Sequence, residues 1–113
     1  MSVNQNIKVA VDAVVFSYTN NQLSVLLVKQ RYGIYKGSWV LPGGLVLDEE
    51  SLKSAVSREL KEEAGVTVNY MEQLYTYGDD VKRDKRGRVI SIAYLAFVNP
   101  EGMKLEASTD ALE

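Results

Sequence analysis

The segment from Ser51 to Ala64, closed by Gly65 as a helix stop, constrains this chain more than any other. Set at about 100° per residue, Leu52, Ala55, Val56 and Leu60 form one apolar stripe, and Lys53, Ser54, Ser57 and Lys61 fall on the opposite side. Glu59 and Glu63 land inside the apolar stripe, one turn apart, with Arg58 and Glu62 at its edge. Like charges at that spacing repel, and carboxylates that point with a core stripe are desolvated at a cost unless a counter-charge meets them. A cluster of charges on a helix is ordinarily a solvated face. The wheel weighs against a solvated face for these glutamates, and Arg58 alone does not balance three of them. A divalent cation does, because magnesium and manganese take hard oxygen ligands from carboxylates, carbonyls, water and phosphates.

Upstream, "LPGG" is a rigid turn in which Pro42 fixes φ, while Gly43 and Gly44 allow backbone to approach a metal or a phosphate closely. Glu50, at the helix start, is near enough in sequence to fold back toward Arg58, or it serves only as a favourable charge at a helix N-terminus. Elsewhere, Ile7 to Phe16 and Leu23 to Gln30 read as two strands of a hairpin joined by the turn residues "TNN". "VTVNY" and "MEQLYTYG" read as extended, and Val89 to Val98 is the clearest strand of the chain. The loop "DDVKRDKRGR" before it is basic. Strands, then a helix, then strands indicate an α/β or α+β domain on a mixed sheet.

The 113 residues suffice for one domain and so for one site. With neither cysteine nor histidine, thiolate chemistry, disulfides and the commonest general base are excluded, which leaves carboxylates for acid/base and metal work. A net charge of −2 and a pI near 5.2 argue against direct nucleic-acid binding. No apolar run reaches the length of a membrane span and no signal-like leader opens the chain, so a cytoplasmic protein is expected.

Gly44, five residues, Glu50, seven residues and then "RELKEEAGV" resemble the Nudix box, G-x5-E-x7-R-E-U-x-E-E-x-G-U with U aliphatic, at every defined position. The resemblance implies a Nudix α/β/α sandwich with a mixed β-sheet. It also implies magnesium- or manganese-dependent hydrolysis of a nucleoside diphosphate linked to some group X. Carried over by position, Glu59, Glu62 and Glu63 become metal ligands, one of them contributing to water activation, and the Gly43 carbonyl a further ligand. Glu50 and Arg58 become the residues that orient the cluster.

The stretch from Arg83, "RDKRGRVIS", is similar to "RDPRGRVIS" of Nudix proteins related to ADP-ribose pyrophosphatases, and of the sensor halves of bacterial regulators of NAD and sugar metabolism. Lys85 stands where those carry proline, a change expected to loosen the loop. Arg83, Arg86 and Arg88 would contact the diphosphate or a ribose phosphate, or else form a solvated hairpin tip. Arg31, Trp39, Gly44 and Tyr77 are further candidates for substrate binding, and Tyr32 and Tyr35 are aromatics near the same cleft. Asp12 interrupts an apolar strand and receives no role.

Two functions follow from the resemblance. One is an enzyme releasing AMP and a sugar phosphate from ADP-ribose or a related nucleotide sugar; the other is a domain that senses such a metabolite without turnover for a transcriptional regulator. The intact box and the lack of a following winged helix favour the enzyme, and a pyrophosphatase for damaged nucleoside triphosphates is a weaker third reading. Residues 1–113 are expected to be a single Nudix domain short of its C-terminal strand and helix, either trimmed or completed by another protomer as a homodimer. Glu106 and Asp110 are candidates for the extra catalytic carboxylate that family members carry near that end.

Overall fold

The structure, a computed structural model, describes residues 4–98. The first strand, β1 (Lys8–Thr19), is the axis of the fold. It turns at Asn20 and Asn21, both at positive φ (53° and 62°), which asparagine tolerates. The chain then returns antiparallel as β2 (Gln22–Val25). Beyond β2 it leaves β1, and β3 (Val28–Lys29) pairs instead with β4 (Trp39–Val40) in a separate two-stranded sheet. The single strand expected over Leu23 to Gln30 is therefore two, because Val28 is fully buried in its own small cluster with Ala64 and Val66.

After β4 the chain rejoins β1 as β5 (Gly43–Leu45), antiparallel and paired Ala10 with Leu45, Val11 with Gly44 and Asp12 with Gly43. Helix α1 (Leu52–Ala64) follows, and β6 (Glu72–Tyr77) and β7 (Val89–Phe97) complete the sheet. The order is β2-β1-β7-β6, with β7 parallel to β1 and antiparallel to β6, so the sheet is mixed as expected.

The period-2 alternation of β1 decides which residues meet the helix. Val11, Ala13 and Val15 pack with Ile92, Tyr94 and Ala96 of β7 against Ala55, Val56 and Leu60 of α1. Burying one such aliphatic side chain contributes about 1.5–3 kcal/mol. The helix starts one residue later than the sequence suggests and stops where Gly65 suggests. Ser51 caps its N-terminus by accepting a hydrogen bond from the Ser54 N–H at 3.2 Å, and Gly65 ends it in the left-handed conformation (φ 66°, ψ 22°).

"VTVNY" takes no part in the sheet among the described residues: Val66 is buried and Val68 packs on the core. Among the described residues no helix is long and apolar enough to cross a membrane. Glu106 and Asp110 lie outside the described residues.

Candidate active site

Arg58 is the hub of the acidic helix. Its Nε donates to Glu50 Oε2 at 2.6 Å and its Nη2 to Glu50 Oε1 at 3.0 Å, a two-pronged grip on one carboxylate. Nη1 reaches Glu59 Oε1 at 2.6 Å and Glu62 Oε2 at 3.3 Å, and Nη2 also donates to the Leu45 carbonyl at 3.0 Å. The guanidinium thus ties the turn before the helix, the helix itself and the end of β5 into one piece. Glu50 also accepts from the Leu47 N–H at 3.1 Å. The Arg58 guanidinium first, and that N–H second, hold the Glu50 carboxyl below its ordinary value of 4.5, and Glu50 chiefly raises Arg58 above its own.

Glu59 and Glu63 are buried, at 9% and 3% exposure, where the helical wheel puts them. Burial of a carboxylate requires a donor. Glu63 has the Gly43 N–H at 2.8 Å and Glu59 has Arg58. The Glu62 side chain is half exposed.

The paired glycines owe their identity to alternation along β5, which turns successive residues to opposite faces of the sheet. On Gly44, a Cβ would stand 2.6 Å from Glu59 Oε1, inside the space the carboxylate fills. On Gly43, a Cβ would overlap the Val11 carbonyl oxygen and come within 2.7 Å of Asp12 Oδ1. The helix carboxylates and Asp12 are therefore separated by a wall one backbone thick.

On the Asp12 side the wall bounds a chamber of about 420 Å³ lined by Gln30, Tyr35, Arg83, Asp84, Arg86 and Ser91 among others. Arg86 is gripped by Asp84 through Nε (3.0 Å) and Nη2 (2.7 Å) and sits over the Tyr35 ring at 5.4 Å. That grip draws the Asp84 carboxyl down to about 2. Arg83 donates to the Val89 carbonyl at 3.0 Å and to Ser91 Oγ at 3.1 Å. Burial pushes the Asp12 carboxyl up against the opposing pull of Arg83 and Arg86.

The structure gathers Glu50, Arg58, Glu59, Glu62, Glu63, Gly43 and Gly44 at one place. It divides the basic loop: Arg83 and Arg86 line the chamber, while Arg88 lines only a smaller cavity of about 220 Å³ with Lys8 and Arg86, and among the described residues its buried Nη1 has no hydrogen-bond partner. Around Lys85 the loop is closed by two hydrogen bonds: Asp84 Oδ1 accepts from the Arg86 N–H at 2.9 Å and the Gly87 N–H reaches the Asp84 carbonyl at 3.3 Å. Trp39 packs under the Lys29 ammonium, Tyr77 meets Tyr75 ring to ring at a tilted angle, and Arg31 follows β3; none of the three lines the chamber. Tyr32 is likewise exposed outside it. Asp12 and Asp84 are the chamber carboxylates that sequence reasoning left without a role, and the signal for Asp12 was an acid inside an apolar strand.

As placed, no three acidic side chains among the described residues form a ready metal cage. Arg58 Nη1 bridges Glu59 and Glu62, and Glu63 is turned to Gly43. In kind, however, the donor set fits a hard divalent ion. Its ligands are all oxygen, three carboxylates face one guanidinium with Glu63 beside them, and the space under Gly44 is kept for a carboxylate.

A family model described as the NUDIX domain matches residues 7–112. The chain is 38% identical over 105 residues to an ADP-ribose pyrophosphatase of Methanocaldococcus jannaschii, covering 93% of this chain and 58% of that protein. It is 35% identical over 91 residues to the ADPR responsive transcriptional repressor NtrR of Acinetobacter baylyi, covering 79% of this chain and 36% of the repressor. The chain thus spans only part of the length of either relative. Its fold matches the NUDIX domain of Shewanella oneidensis NrtR, solved in complex with ADP ribose, with a TM-score of 0.83 at 34% identity over 96% of this chain and 71% of that one.

Two outcomes test the geometry. Gly44→Ala must displace the Glu59 carboxylate, so manganese affinity followed by electron paramagnetic resonance should fall on the order of tenfold or more, and unchanged affinity would contradict the close approach. The lowered Glu50 pKa means that its share of stability is complete above 4.5 and is lost as pH falls through the lower native value. Carbon-13 NMR should place the Glu50 midpoint below 4.5 and move it upward in Arg58→Ala.

Proposed function

This chain belongs to the Nudix family, and we propose that it is a pyrophosphohydrolase acting on a nucleoside diphosphate linked to a second group. The substrate we infer is ADP-ribose or a related nucleotide sugar, with AMP and a sugar phosphate as products. The observation that carries this reading is the Arg58 network, which holds Glu50 and Glu59 at 2.6 Å each while Gly43 holds Glu63 at 2.8 Å. It fixes buried carboxylates at the wall of a ligand-sized chamber, an arrangement with an electrostatic cost that folding alone gives no reason to bear. The ADP-ribose pyrophosphatase relative and the ADP ribose complex of the similar domain support the choice of substrate.

In this reading Glu59, Glu62 and Glu63, with the Gly43 carbonyl, are the groups that would hold magnesium or manganese. A divalent ion held there would supply Lewis acidity to the phosphoryl group and offset the negative charge of these carboxylates. Arg58 and Glu50 keep the helix edge and β5 in register. Glu62, half exposed and held by Arg58 only at 3.3 Å, is the carboxylate free to swing toward an attacking water and accept its proton. Arg83 and Arg86 flank the ligand and do not serve as its sole phosphate contacts, since both already have protein partners.

A second reading, a domain that binds the metabolite without turnover, is favoured by the similarity to the ADPR-responsive repressor. A panel of diphosphate substrates assayed with magnesium and resolved by chromatography separates the two. Release of AMP from ADP-ribose is expected, with the rate cut by orders of magnitude in Glu62→Gln and Glu63→Gln at unchanged circular dichroism. Unaltered turnover in both variants would refute the roles of these two carboxylates, and tight binding with no product would establish the sensor.

A further inference from the structure

Resting on that functional reading, we propose that Asp12 is a specificity-determining residue whose carboxylate receives the vicinal hydroxyls of a ribose ring lodged in the chamber behind the Gly43–Gly44 wall.

Four observations lead there. Asp12 sits mid-strand on β1, paired with Gly43 on one side and Ala93 on the other, so its position is set by the centre of the sheet. Its carboxylate lines the chamber, and among the described residues no hydrogen bond reaches it. A carboxylate withdrawn from bulk water and left without a protein donor is a poor choice for stability alone, but a good acceptor for a ligand that brings two donors. The chamber's volume, about 420 Å³, falls within the roughly 300–1,000 Å³ of small-molecule sites.

The remaining lining decides which donors fit. The ionisable side chains around the chamber are two carboxylates, Asp12 and Asp84, and two guanidiniums, Arg83 and Arg86, so the lining has no net charge and suits the uncharged part of a nucleotide sugar. The acidic helix across the wall carries the charge imbalance instead, and there the diphosphate would lie. A flat base is the poorer occupant, because Tyr35, the aromatic of the chamber, already has the Arg86 guanidinium over its ring. Gln30 and Ser91 add hydroxyl-compatible groups on the walls. ADP-ribose contains two riboses with this chemistry, the one carrying the base and the terminal one.

The test uses calorimetry with magnesium and a methylene-bridged ADP-ribose, whose diphosphate bond cannot be hydrolysed, beside two analogues that each replace one ribose by 2-deoxyribose. Wild-type protein should bind one of the two analogues on the order of tenfold or more weakly than the parent, and which one it is identifies the ribose in the chamber. Asp12→Asn, which keeps the size of the side chain, and Asp12→Ala should bind the parent more weakly by a similar factor and lose the discrimination. Equal binding of all three ligands by wild type overturns the proposal even if neither variant folds, as does discrimination that survives in the variants. Failure to bind the parent ligand at all overturns the functional reading and this one with it, whereas tight binding indifferent to the hydroxyls overturns this one alone.

Discussion

The site depends on a single cation, the Arg58 guanidinium, set among Glu50, Glu59 and Glu62 with a carbonyl at its far end. A guanidinium suits this place where an ammonium does not, because its planar fork meets one carboxylate with two parallel donors and still has a third arm for its neighbours. Three segments that are separate in sequence are thereby held in one geometry: the turn at Leu47 to Glu50, the third turn of α1, and the end of β5. The cation lowers the repulsion among the glutamates without cancelling it. The remaining negative charge is what makes the helix edge suitable for a divalent ion and, through it, for a diphosphate.

The two glycines extend that logic to the other side of the sheet. Alternation turns Gly44 toward Glu59 and Gly43 toward Asp12, so neither position accepts a side chain, for two different reasons. The same strand supplies the N–H that holds Glu63. One short strand thus separates a strongly acidic compartment from a chamber of balanced charge, and a ligand with a charged middle and an uncharged end matches that division.

Much of the acidic compartment was legible in the sequence, because helical geometry is local: placing Glu59 and Glu63 in the apolar stripe needs only the 3.6-residue period, and both are buried. Gly65 and the Asn20–Asn21 turn were legible for the same reason. The chamber was not. That Arg86 lies over Tyr35 from a distant loop follows from how two loops meet, which no local pattern records. Val66 and Val68 alternate as a strand would, yet among the described residues no strand pairs with them, and they are buried without pairing. Asp12 was visible as an anomaly, but its meaning required knowing that Gly43 lies opposite it and Gly44 over Glu59.

The central claim is that the carboxylates of α1 and the backbone of β5 form one divalent-metal site that serves a diphosphate. The most direct measurement is anomalous diffraction at the manganese edge from crystals grown with manganese and a non-hydrolysable diphosphate ligand. Anomalous density is expected within coordination distance of Glu59, Glu62 and Glu63, with the diphosphate oxygens completing the shell. Manganese located only elsewhere on the molecule, with Arg58 still bridging Glu59 and Glu62 in the ligand complex, would contradict the claim.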